Sequence, residues 1–387
     1  MSITELTALE LAARLRAGEV TIAQALDACY AKIESGGAKN FACLCKEHAY
    51  ARAVGVQARL DAGEVRSPLA GVPVAAQDNI CTEGIATAAG SKMLRGFVPP
   101  YDAAVVERIN AADMILLGKT IMDEFAMGSG INGAALAVKA GEVPVALGSD
   151  TGGGLRRSAA LCGVTGLRPT YGAVSRLGLI AHASSMDQIG PVARNAADCA
   201  ALFDVIRGKD ERDSTSVEAA PAPLCEGGDA AASGGANLKI GAIPLALMEY
   251  AVPAYYVIAC AEGYSNLARY DGIKYGYASE KARNLRDTYV LSRGEGFGME
   301  VKKRVMLGNF VLGAGNYEAY YKKAMRVRRM IQEALFAALE EYDVLLAPAD
   351  DEAGLVMASL AGLPALALPD GRQVIGRRFE EGALVGF

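Results

Sequence analysis

Apolar and polar positions recur with two different periods along this chain, and the change of period organises it. Thr21 and Gln24 have capping-box spacing, and Ile22, Leu26, Cys29 or Tyr30, and Ile33 then recur every three to four positions. That spacing predicts a helix with one apolar face that must dock on something. Ser2 and Glu5 have the same box spacing before a first helix that Gly18 can stop. From about Leu69 the pattern turns to short apolar runs at 72–76, 114–118 and 144–148, separated by helical stretches such as 102–112. Runs at 239–243, 343–347 and 363–368 continue it, with helices expected at 195–207, behind an Asn195 cap, and at about 318–341. Such alternation predicts βαβ units, an α/β fold around one open, mixed or mostly parallel sheet. The chain is expected to divide into an N-terminal helical segment over 1–65, packed on the core, and an α/β domain over 66–387. Residues 215–238, rich in Ala, Gly, Pro and Ser and without apolar periodicity, predict a surface loop.

Composition narrows the function classes. The 387 residues are 21% charged and 52% hydrophobic, a folded and globular balance. The formal net charge is −5, so no strong positive field exists to hold a phosphate backbone, and direct nucleic-acid binding is not expected. Two histidines are too few for a zinc site built mainly on imidazole, and neither a metal nor another cofactor is expected. The eight cysteines are scattered without paired CxxC spacing, which suits reduced thiols and a cytoplasmic compartment. The N-terminus is acidic where a signal peptide is basic, and no apolar run approaches about 18 residues, so neither export nor a membrane span is expected. The basic cluster at 302–304 and the set Lys322, Lys323, Arg326, Arg328 and Arg329 read mostly as a solvated helix face.

Chemistry concentrates in GSDTGGGLRRSAALCGVTGLRPTYG, residues 148–172, where a strand-like run feeds a glycine-rich turn and then a helix-compatible stretch. Such a turn exposes backbone N–H groups, which cradle a phosphate or form an oxyanion hole, or it is simply a tight turn. No GK[ST] follows, which argues against a nucleotide phosphate loop.

The segments around that turn, LAGVPVAAQDNICTEGI (69–85), SKMLRGFVPPYDAAVVERI (91–109), GKTIMDEFAMGS (118–129), GSDTGGGLR and SSMDQIGPVARNAADCA (184–200), together closely resemble the amidase signature family. The likeness resumes at 250–277, 293–331 and 359–371 and so covers nearly the whole chain. It implies an α/β/α sandwich around a mixed sheet and, in active members, a triad of nucleophilic Ser, bridging Ser in a cis peptide, and Lys as base. All three positions depart from the pattern. Gln77 stands in VAAQDN at the place of the Lys, and a carboxamide has no titratable proton near neutral pH. Gly154 stands at the place of the nucleophile, and the loop that carries the bridging Ser is shortened to GSGINGAALAVKAG between Met127 and Gly141.

What the resemblance retains is binding scaffold. Asp150, Thr151, Gly152 and Gly153 match the turn whose amides form the family's oxyanion hole, and Arg156 matches the Arg after it. Arg328 resembles the Arg that holds the substrate carboxylate in glutamine-using members, Tyr277 lies near that pocket, and Glu352 falls near the acidic residue that receives the amine. After 241–244 the family's next helix and strand are missing before the motif that begins at Tyr250. Ser149, Thr151, Ser158, Cys162, Lys92 and Lys119 are the groups that could substitute for the triad, and each has a simpler packing, turn or solvated role. The expectation that follows is a catalytically inactive relative of the family's amidotransferase A subunits, acting by binding B- and C-subunit-like partners or a small amide or carboxylate. The alternatives are an active divergent amidase or ammonia-supplying glutaminase component, and a decayed copy.

Overall fold

The computed structural model describes residues 2–387 except 66, 129, 219–222, 227–228 and 231–237. Ten strands form one sheet: β1 (Phe41–Leu44), β2 (Pro73–Gln77), β3 (Ile115–Thr120), β4 (Val145–Asp150), β5 (Thr165–Arg168), β6 (Gln188–Ala193), β7 (Ile240–Ala242), β8 (Val344–Pro348), β9 (Ala365–Ala367) and β10 (Arg372–Gly376). Their spatial order is β1-β3-β2-β4-β6-β5-β9-β10-β8-β7. β2, β3, β4 and β6 are buried along their whole length, and the first three read as short apolar runs for that reason. The sheet is mixed, as expected, but it is not mostly parallel. Only β2–β3, β2–β4 and β7–β8 pair in parallel, and the other six junctions are antiparallel. One of these junctions is local: β9 and β10 are joined by a tight turn through Gly371, at φ +89, and so return antiparallel.

The described α-helices are α1 (Ala8–Arg16), α2 (Ile22–Ser35), α3 (Lys46–Asp61), α4 (Ala104–Ala111), α5 (Gly133–Lys139), α6 (Gly154–Cys162), α7 (Ala196–Ile206), α8 (Met248–Leu267), α9 (Leu285–Gly296), α10 (Met299–Leu312), α11 (Lys323–Glu341), α12 (Glu352–Ala361) and α13 (Glu381–Val385). The Ser2–Glu5 box caps only a 3-10 turn; a second box, Thr7 with Glu10, starts α1. The first residues of α1 donate two backbone N–H groups, Ala8 and Leu9, to the buried carboxylate of Asp198 on α7, at 2.9 and 3.1 Å. The N-terminal segment also supplies β1, paired with β3 in the common sheet. Its apolar face and the central strands form one continuous cluster. Most of the 215–238 stretch lies outside the described residues, and its described part pairs Cys225–Glu226 with Asp229–Ala230.

Helix α8 packs against α10, α11 and α12, and α11 against α12. α10 lies close on α8 because Gly308 has no side chain: a Cβ there would stand 2.1 Å from the Cys260 carbonyl oxygen. Among the described residues no helix is long and apolar enough to cross a membrane.

Candidate functional site

β2 and β4 are parallel neighbours whose C-terminal ends meet at the glycine turn. In open α/β sheets that edge is where ligands bind. β4 ends at Asp150, the turn runs through Thr151 to Gly153, and α6 begins at Gly154. Gly153 caps α6 at φ +107, and a Cβ there would stand 2.6 Å from Leu355 Cβ. At Gly152 a Cβ would stand 2.5 Å from the Tyr255 hydroxyl, so α8 and α12 press on the turn from both sides. Gly154 differs. A Cβ on it meets nothing within 4 Å, and it faces the cleft.

The turn is locked from beneath. The Asp150 carboxylate accepts from Gly153 N at 3.0 Å, Arg156 Nε at 3.1 Å and Arg168 Nη1 at 2.8 Å, all fully buried. Burial opposes ionisation of Asp150, but the two guanidiniums prevail and hold its carboxyl down at about 2. Arg156 also donates to Gln373, Ser359 and the Leu355 carbonyl, so it lies behind the turn and not in the cleft. Thr151 Oγ1 donates to Asp187 at 2.7 Å, which fixes the turn's other end.

Gln77 ends β2. Its Oε1 accepts from Ser149 N at 2.6 Å and from Ser149 Oγ at 3.0 Å, while Asn79 Nδ2 donates to that same hydroxyl at 2.9 Å. Ser149 therefore sits in a neutral amide–hydroxyl–amide chain.

Above the turn opens a cleft of about 780 Å³. One wall is formed by Asp123, Glu124, Ala126, Met127, Gly128 and Gly130. The opposite wall is Tyr255 and Tyr256 of α8, Glu300 and Arg304 of α10, and Glu352 of α12. Arg304 Nε donates to Glu300 Oε1 at 3.0 Å, and its guanidinium lies 5.0 Å from the Tyr256 ring centre. Among the described lining residues there is no lysine, and the hydroxyls are those of Ser149, Thr151, Tyr255 and Tyr256.

The expected site residues therefore separate. Asp150, Thr151, Gly152, Gly153, Gly154 and Gln77 come together at the turn, and Glu352 lines the cleft. Arg328 does not: its guanidinium donates to Ser185 Oγ, the Ser185 carbonyl and the Leu360 carbonyl, at 2.7 to 2.9 Å. Tyr277 lines another cavity and donates to Glu295 at 2.8 Å. Of the possible substitutes, Ser158 Oγ accepts from Asn132 N at 2.9 Å, and Cys162 is a buried thiol pushed up by burial. Lys92 lies over the Tyr277 ring at 4.0 Å. Lys119 is not solvated. Burial pushes its amine down to about 8, and Nζ donates to the Ile80 carbonyl and to Thr82 Oγ1, outside the cleft.

The residue that sequence reasoning misplaced is Arg304, taken with its neighbours as a solvated face. It is 8% exposed. The signal was present: Val301, Arg304, Gly308 and Val311 share the inward face of α10 at helical spacing, while Lys302 and Lys303 point elsewhere.

Comparison with known proteins agrees with this geometry. The sequence model of the Amidase family matches residues 24–132, 129–243 and 232–356. The chain belongs to the amidase family. Its relatives include the A subunit of glutamyl-tRNA(Gln) amidotransferase from Agathobacter rectalis, 42% identical, with 98% of this chain and 92% of that protein covered. The crystal structure of the Thermotoga maritima protein of that name is 30% identical with a TM-score of 0.72, covering 100% of this chain and 94% of that one. A protein from a vestigial complex, described as revealing the origins of an s-triazine catabolic enzyme, is 26% identical with a TM-score of 0.82, covering 98% and 97%. The aligned span with the A. rectalis protein, 463 residues, exceeds the 387 residues of this chain, so stretches of that relative have no counterpart here. The family match passes from one segment to the next at 129–132 and 232–243.

Proposed function

We propose that this amidase-family chain is a non-hydrolytic relative of amidotransferase A subunits that binds a small amide or carboxylate and docks B- and C-subunit-like partners. One observation supports the reading: the glycine turn faces the cleft with Gly154, where the family resemblance expects the nucleophile, while Gln77, where it expects the base, is buried beside the cleft and accepts from Ser149. An amide oxygen that already accepts two hydrogen bonds takes no proton from a hydroxyl near neutral pH, and a glycine has nothing to attack with. Loss of such groups typically costs about 10⁶-fold, leaving roughly 10³ to 10⁴ over water from oxyanion stabilisation and binding.

Binding chemistry survives. The Arg304 guanidinium suits a carboxylate, Glu300 and Glu352 suit an ammonium, and the turn's amides suit an amide oxygen, which together favour an amino-acid amide such as glutamine. The test is calorimetric titration of L-glutamine beside an ammonia-release assay. Saturable binding without ammonia above a buffer blank, weakened about tenfold in Arg304→Gln, is the expected result. Turnover overturns the proposal.

The second reading, an active chain supplying ammonia for Gln-tRNA(Gln) formation, is favoured by the 42% identity to the A. rectalis protein. Ser149 is then the candidate nucleophile, since its hydroxyl lies in the cleft. Labelling by a serine-directed probe, abolished by Ser149→Ala, would support it.

A further inference from the structure

A second cavity, of about 710 Å³, shares no lining residue with the cleft. It lies between the 3-10 turn Lys92–Leu94, the backbone of residues 178–181 and the loop after α8. Its walls carry five aromatic rings, those of Phe97, Tyr101, Tyr270, Tyr275 and Tyr277. The loop wall is held in place without any ligand. Asp271 Oδ1 accepts from Ile273 N and Lys274 N at 2.8 and 3.0 Å, and Tyr277 N donates to the Met93 carbonyl at 2.8 Å. Gly276, at φ +84, lies so close to Met93 that a Cβ would stand 2.6 Å from its Sδ. A preformed wall removes part of the ordering cost of binding.

Charge then selects the occupant. The cleft is lined by Asp123, Glu124, Glu300, Asp350 and Glu352 against two arginines, whereas the described lining of the second cavity has Arg95 and Arg269 and no carboxylate. Among the described residues neither arginine has an ion-pair partner; Arg269 Nε donates to the Asn266 carbonyl at 2.9 Å, which holds that guanidinium at the rim. On a chain of net charge −5, such a lining favours an anion. Two of the polar side chains are already engaged: Asn266 Nδ2 donates to the His182 carbonyl and Ser184 Oγ, and Tyr277 donates to Glu295. Flat rings pack on tyrosine faces, and guanidiniums bind carboxylate or phosphate oxygens in pairs. The volume falls in the ordinary range for small-molecule sites, about 300–1,000 Å³.

We infer that this cavity binds a flat aromatic ring carrying an anionic group, at a site separate from the amide-binding cleft. The ring would lie among the tyrosines and the anion between Arg95 and Arg269. Calorimetric titration of the full chain with 2-naphthoate, AMP and the neutral 2-naphthylmethanol tests it, the two anions distinguishing a carboxylate from a phosphate source. The expected result is saturable 1:1 binding of at least one anion. It should weaken about tenfold or more in the Arg95→Ala/Arg269→Ala double variant, with the neutral alcohol weaker on the unaltered protein by a similar factor. Both arginines are exposed, so the double variant should fold, and Glu352→Ala in the cleft should leave the binding unchanged. Absence of saturable binding by both anions, equal affinity for the alcohol, an unaffected double variant, or loss in Glu352→Ala overturns the inference.

Discussion

Replacing Gly153 and Gly154 by alanine, one at a time, separates what the turn requires for folding from what its chemistry has lost. Gly153 holds φ +107, where an L-residue costs about 1–2 kcal/mol, and its new methyl would stand 2.6 Å from Leu355 Cβ, an overpacking of about 1–3 kcal/mol. Gly153→Ala should therefore destabilise by about 2–5 kcal/mol. Gly154 is the first residue of α6 with open space beyond its Cα, so Gly154→Ala should instead stabilise, by about 0.4–1 kcal/mol, through restriction of the unfolded chain and helix propensity. Unfolding entropy near 2.1 cal/mol/K per residue gives about 0.8 kcal/mol/K for a chain of this length, which makes the expected Tm changes about −2.5 to −6 °C and +0.5 to +1 °C. Differential scanning calorimetry of the two variants beside the unaltered protein reads both. A Gly154→Ala variant that loses stability with Gly153→Ala would mean that packing demands glycine there, and the missing hydroxyl would no longer stand as an independent chemical loss.

Restoring Gly154→Ser together with Gln77→Lys should not bring ammonia release from glutamine above the blank, because the segment between Met127 and Gly141 is too short to supply the relay; robust turnover would refute that account. The Asp150 carboxyl is held below its unfolded value, so its stabilisation is present above about pH 4 and is lost as the pH falls toward 2, by about 2 kcal/mol. Asp150→Asn should abolish that acid-side slope in urea melts while costing about 3–5 kcal/mol at neutral pH, since two buried guanidiniums lose their counter-charge. Arg328→Ala should lower stability by about 1.5–3 kcal/mol through its lost bonds to Ser185 and Leu360, with glutamine affinity unmoved; a tenfold weaker isotherm would place Arg328 in the ligand site after all.

The parts of the fold that were legible are those decided locally. The Thr21–Gln24 box and the apolar stripe from Ile22 to Ile33 specify a helix whatever surrounds them, and Asn195 caps α7 by accepting from Asp198 N at 2.7 Å. β2, β3 and β4 announce themselves because strands buried on both faces are apolar over most of their length, up to the polar residues at their C-terminal ends. β1 was hidden because its four residues lie at the sheet edge among helical neighbours, and an edge strand buried on one side carries too short a pattern to detect. Apart from the tight β9–β10 return, the antiparallel pairings were hidden too, since they join strands separated by longer stretches of chain.

The same division runs through the site. The glycine turn is contiguous in sequence, so its shape is legible from that short stretch alone; the wall facing it comes from α8, α10 and α12, more than ninety residues away, and no local pattern names that partner. Arg156 and Arg304 show how this misleads. Both are arginines on helices beside the turn, both buried, yet Arg156 is consumed by Asp150 beneath it while Arg304 pairs with Glu300 on its own helix, lies against the Tyr256 ring and lines the cleft. A guanidinium neutralised by a fully buried carboxylate is structural cement, whereas one paired to a half-exposed glutamate a turn away retains donors for a ligand. Which arginine binds and which supports is therefore set by how deeply its carboxylate partner is buried and how many of its donors the fold engages, three-dimensional quantities that sequence spacing does not encode.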